Sequence, residues 1–153
     1  MSMIILDLQL VCSNVNNLPN IIKFQYWLEL VAKLFKVKGE VTVRIVDEEE
    51  SQTLNFLYRG INKPTNVLSF PFESSPYIQI PLLGDLIICS SIVKCQAFEN
   101  NKRNEEYWAH IVIHGMLHLL GYKHFKKKQA KKMERLEIKI MHMLGYSNPY
   151  LFH

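Results

Sequence analysis

Cysteine is scarce in this 153-residue chain. Cys12, Cys89 and Cys95 are the only three, and no CxxC pair occurs. An odd count without paired spacing argues against a disulfide framework or a four-cysteine zinc site, and predicts buried reduced thiols. Long apolar runs are also missing. Stretches such as Ile4 to Leu6 and Ile111 to Ile113 fall far short of the roughly 20 residues that cross a bilayer. The N-terminus lacks a basic segment followed by an apolar block and a small-residue cleavage site, which predicts mature sequence that stays in the cytoplasm. Neither an internal repeat nor a low-complexity linker breaks the chain, so residues 1–153 are read as a single domain. With 48% apolar and 21% charged residues, the composition is that of a globular domain with a real core.

Charge is present but unevenly placed. The net charge is +4. Between Lys123 and Lys139, eight basic residues stand against Glu134 and Glu137, leaving that stretch at +6 and the remainder at −2. Lys127, Lys128, Lys131 and Lys132 within it are candidate polyanion-binding residues, because a local basic patch attracts polyanions. The same residues also fit a solvated lysine-rich helix face.

Periodicity supplies the architecture. Ile4 to Val11 alternates in part and reads as a strand. Pro19 opens a helix to Phe35, with Ile22, Tyr26, Leu30 and Leu34 at steps of four as its apolar positions. Val41 to Val46 is β-branched and alternating. Glu48 to Tyr58 forms a second helix, with Leu54, Leu57 and Tyr58 on its apolar side. Gly60 to Thr65 is a loop, Val67 to Phe72 a strand whose Pro71 sits at an edge or at the strand's end, and Ser74 to Pro81 a turn-rich loop. Leu82 to Cys89 is a strand interrupted at Gly84-Asp85. A helical piece follows to about Phe98, then a break at Asn100-Asn101 and a long helix to Leu120. Gly121 is placed as its C-cap. The last helix runs from Lys127 to Leu144, with Met133, Leu136, Ile140 and Leu144 inward. This is an α+β fold: a small mixed four-stranded sheet covered by about five helices, with a three-histidine metal site at the end of a central helix.

That site rests on His114, His118 and His124. Residues four apart on a helix share a face within about 6 Å, so His114 and His118 aim at one point. Gly121 lets the chain leave the helix, and His124 can then fold back. The result, HxxxHxxGxxH, is the ligand spacing of one class of zinc metalloproteases. Three imidazoles with an open fourth position make a catalytic zinc arrangement, in which bound water has a pKa of about 7. His110 lies one turn before His114, but about 12 Å along the axis from His118, and is placed behind the ligands or in the core. Gly115 occupies the position where HExxH proteases carry their general base, which disfavours a protease of that class.

A second constellation surrounds Arg59. At a helix end before Gly60, its guanidinium suits either the helix's free carbonyls or a phosphate. Asp85 interrupts an otherwise buried strand. It is either a turn residue or a carboxylate orienting an imidazole from behind the ligands. A metal-activated water, a guanidinium and a basic helix together point to a phosphodiester substrate.

These residues resemble the bacterial YbeY-type endoribonucleases, or rRNA maturation factors. The likeness runs from MIILDLQL through YRGINKPTNVLSFPF and LLGDLIIC to WAHIVIHGMLHLLGYKH and MLGYSNPY. The family's HGxLHLxGYDH signature maps onto His114 to His124. The resemblance implies a single-strand-specific, metal-dependent endoribonuclease acting in 16S rRNA 3′-end maturation and ribosome quality control. It implies one zinc ion held by His114, His118 and His124, and a functional role for Arg59. Small-subunit ribosomal components and an assembly GTPase are the implied partners. Lys123 departs from the signature, standing where the family has aspartate and removing a carboxylate beside His124. The competing readings are a non-catalytic ribosome assembly factor with a structural metal site and, disfavoured by Gly115, a metalloprotease.

Overall fold

The computed structural model describes residues 2–72, 81–123 and 125–151. Along the chain run β1 (Ile4–Leu10), α1 (Ile21–Phe35), β2 (Gly39–Val46), α2 (Glu48–Arg59), β3 (Val67–Pro71), β4 (Leu82–Cys89), α3 (Ser90–Glu99), α4 (Asn104–Leu119) and α5 (Lys127–Met143). The four strands form one mixed sheet in the order β1-β2-β4-β3. β1, β2 and β4 are parallel, and β3 closes the edge antiparallel to β4. The α+β expectation is therefore met, with five helices and four strands among the described residues. Most of the turn-rich stretch expected before β4 lies outside the described residues.

Strand alternation divides the sheet into two unequal faces. Val41, Val43 and Ile45 of β2 join Leu86 and Ile88 of β4 in the main core, beneath α1 and α4. Phe24 of α1 meets both Trp27 and Trp108 edge-on, each at 5.8 Å between centroids, a favourable ring geometry. The face that α1 buries is not the one expected. Phe24, Trp27, Leu28, Val31 and Ala32 are buried. Ile22 and Tyr26, from the expected stripe, are 74% and 58% exposed. Both stripes have helical spacing, and the bulkier aromatic one fills the space over the sheet. The thiols divide as well: Cys12 and Cys89 are buried, whereas Cys95 is exposed.

On the opposite face, α2 covers only a small cluster of Val46, Leu68, Ile87 and Cys89. Leu57 and Tyr58 are correspondingly exposed, contrary to expectation. The buried positions of α2 are polar, Ser51 and Asn55, and they fasten the loop that follows the helix. Ser51 Oγ exchanges hydrogen bonds with the backbone of Thr65, and Asn55 Nδ2 donates to Lys63 O at 2.8 Å. Gly60, with φ of 72°, ends the helix in a left-handed turn. The loop after Arg59 is thereby tied to the helix that carries it.

The start of β1 is anchored by one carboxylate on α1. Glu29 accepts from the amides of Met3 and Ile4, from Ser2 Oγ and from Gln25 Nε2. Burial alone pushes its pKa up, but these donors outweigh burial and leave it below the usual value of 4.5. A depressed carboxyl pKa stabilises the fold above the unfolded-state value and ceases to do so as pH falls through the native one. Glu29→Gln is expected to lower unfolding free energy by about 1–2 kcal/mol at pH 7. In urea titrations the difference from wild type should shrink as pH is lowered below that value.

Candidate metal centre

α4 is buried on nearly every side. Trp108, Ala109, Ile111, Val112, Ile113, Gly115, Met116, Leu117 and Leu119 are all inside, as expected of a central helix. The stripe they leave carries His110, His114 and His118 at steps of four, each half-buried. His114 and His118 rings lie 4.7 Å apart between centroids, and their Nε2 atoms are 3.1 Å apart. His110 sits one turn back, its ring 6.3 Å from that of His114.

Behind the histidines lies Glu137 of α5, only 1% exposed. Its Oε1 is 3.1 Å from His114 Nδ1, and its Oε2 meets His110 Nε2. The Tyr150 hydroxyl, from the tail beyond α5, donates to the same Oε2 at 2.7 Å. Tyr150 also sets its ring edge-on to His110. Burial by itself would raise the Glu137 pKa, but the hydrogen bonds from His110 and His114 hold it down at about 2. Burial and the adjacent Glu137 charge push the Tyr150 phenol well above its usual value.

The paired imidazoles fit a zinc ion. Two nitrogens each 2.0–2.1 Å from zinc at a tetrahedral angle stand about 3.3 Å apart, close to the 3.1 Å seen here. A carboxylate on the far nitrogen of a ligand histidine is also the usual support of such a site. His124, the expected third ligand, lies outside the described residues. Among the described residues no group of three or more His, Cys, Asp or Glu side chains is arranged to hold a metal ion. Gly121 takes the positive φ expected of it, 98°, just beyond the end of α4.

Packing as well as chemistry sets Gly115. A Cβ there would stand 2.8 Å from Leu86 Cδ2 in the fully buried core. Ser69 Oγ of β3 also donates to the Gly115 carbonyl. The helix is thus pressed against the β3–β4 edge at the residue beside His114, and any side chain there would have to displace Leu86. Gly84 is equally crowded against the end of α4: with φ of 150°, its added Cβ would meet Phe70 O at 2.4 Å and Leu119 Cδ2 at 2.7 Å.

The remaining candidates scatter. Arg59 ends α2 on the surface. Its neighbour Tyr58 packs against Phe70 of β3, ring centroids 5.0 Å apart. Arg59 and the histidines therefore flank the β3 edge from opposite faces of the sheet. Asp85 is paired in register with Thr42 and Phe70, on the α2 side. Burial raises its pKa, a hydrogen bond with Thr42 opposing. The structure does not bring Asp85 to the histidines; strand alternation turns it away from them. His110 is directed at Glu137. Lys123, Lys127, Lys128, Lys131 and Lys132 are all exposed. Glu137 was missed because a glutamate in a lysine-rich helix reads as solvated. One signal was available: it falls on the apolar stripe, four residues after Met133 and three before Ile140.

The described residues thus form a mixed α+β domain with a histidine pair on its central helix, backed by a buried carboxylate. The family profile described as Endoribonuclease YbeY matches residues 13–145. The chain belongs to the YbeY endoribonuclease family. The fold is also similar to the solution structure of TM1509 from Thermotoga maritima, with a TM-score of 0.57 and 29% identity, covering 88% of this chain and 87% of that one.

Gly115→Ala is expected to lower unfolding free energy by about 1–3 kcal/mol through overpacking against Leu86. Gly115→Glu, which restores the HExxH pattern, should yield unfolded protein rather than a peptidase. Denaturant titration and a casein digest check both.

Proposed function

We propose that this chain is a single-strand-specific, metal-dependent endoribonuclease that acts in 16S rRNA 3′-end maturation and ribosome quality control. The observation that carries the reading is the facing Nε2 pair of His114 and His118, backed by Glu137, in a member of an endoribonuclease family. His114, His118 and His124 hold one zinc ion. When bound, that ion supplies Lewis acidity toward a phosphodiester oxygen and the attacking water.

The protein's own groups supply position and charge. Arg59 grips the phosphate with its guanidinium fork and takes up negative charge as the P–O bond breaks. The Ser51 and Asn55 fastenings keep the Arg59 end of α2 rigid. RNA reaching both Arg59 and the histidines has to pass over the β3 edge, which a flexible single strand does more readily than a duplex. The exposed Lys127, Lys128, Lys131 and Lys132 draw in the phosphate backbone. Lys123 is solvent-facing and adds to this field. Small-subunit ribosomal components and an assembly GTPase are the partners this role calls for, in the cytoplasm.

The test joins metal analysis to RNA cleavage. Wild type should carry one zinc per chain and cut single-stranded but not duplex RNA. His114→Ala should lose both zinc and cleavage. Arg59→Glu should keep zinc and lose about 10²–10³ in rate. Neutralising the four lysines should flatten the salt dependence of RNA binding by about 3 in logarithmic slope. Zinc-loaded protein that never cuts RNA would leave an assembly factor with a structural metal instead.

A further inference from the structure

We infer that Glu137 is a positioning residue: its Oε1 fixes His114 for metal capture, while His110 and Tyr150 lock its Oε2. The inference rests on the metal reading above and concerns how this chain prepares the site.

A carboxylate only accepts hydrogen bonds. Each group aimed at Glu137 must therefore donate: His110 through Nε2–H, His114 through Nδ1–H, Tyr150 through O–H. For a neutral His114 this settles the tautomer. The proton sits on Nδ1, and the Nε2 lone pair points toward His118, 3.1 Å away. The other tautomer would set a nitrogen lone pair against a carboxylate oxygen, which is repulsive.

The two oxygens divide the work. Oε2 takes both His110 and Tyr150, which pins the rotation of the carboxylate; Oε1 is given to His114. This also accounts for His110. Its Nε2, the nitrogen a ligand would use, is directed at Glu137, so it serves the carboxylate rather than the metal. The fold does not call for a charge here. Glu137 lies between Met133 and Met141 on the buried stripe of α5, and a buried ion pair is often no more stabilising than apolar residues of the same volume. Retaining a carboxylate is explained by what it does to His114.

Zinc affinity of the full chain, measured by competition with a chromophoric chelator, tests this. Glu137→Gln keeps the volume and removes the anionic acceptor. Its zinc dissociation constant should rise about 10–100-fold, while circular dichroism and RNA binding by the metal-free protein stay as in wild type. Tyr150→Phe releases one of the two locks on Oε2 and should give a smaller rise. If Glu137→Gln does not fold, Glu137→Asp, with its carboxylate withdrawn by one methylene, should show the same weakening. Folded Glu137→Gln or Glu137→Asp that binds zinc as tightly as wild type overturns the inference, even if its melting temperature falls. Wild type that binds zinc more tightly than Glu137→Gln yet leaves RNA intact removes the ribonuclease reading alone. Wild type that cuts RNA, beside a Glu137→Gln variant with normal zinc affinity, removes the positioning role alone. Wild type that takes up no zinc removes both.

Discussion

Burying a carboxylate is unfavourable unless donors replace its lost water. Glu137, nearly sealed from solvent, has three: His110, His114 and Tyr150. These come from α4 and from the tail beyond α5, so one side chain joins α5 to both. The rest of the site follows from that junction. α4 is locked on its other side by the sheet, through Gly115 against Leu86 and Ser69 and through Gly84 against Leu119. With both sides fixed, the histidine stripe has little freedom to rotate, and His114 and His118 converge.

The scaffold is well suited to hold such a helix. Three parallel strands bury one face under α1 and α4, and the antiparallel β3 closes the edge where α4 touches the sheet. The opposite face carries little apolar cover. There α2 uses Ser51 and Asn55 to fix a loop rather than to fill a core. One face thus serves stability and holds the histidine stripe, and the other presents Arg59 at a fastened helix end. The β3 edge is the narrow wall between them.

Much of this was legible in the sequence, for identifiable reasons. β2 and β4 announce themselves because β-branched alternation has one simple meaning. The histidine pair and Gly121 are equally plain, since four-residue spacing and a turn glycine are local geometry. Other readings failed where the answer is tertiary. α1 offers two apolar stripes, and only the fit of Phe24 and Trp27 against Trp108 selects one. The polar interior of α2 depends on a loop that returns to it. Asp85 read equally well as a turn residue or as a carboxylate behind an imidazole, and only strand parity puts it on the face away from the histidines. Glu137 was hidden because charge reads as exposure, and its three partners lie from 13 to 27 residues away in sequence.

The central claim is that a buried carboxylate sets one imidazole before any metal arrives. Long-range nitrogen–proton NMR on metal-free protein reads the protonated nitrogen of each histidine directly. The account predicts His114 as the Nδ1–H tautomer, with Nε2 carrying the lone pair, at pH values where the ring is neutral. A dominant Nε2–H tautomer at His114 would contradict it.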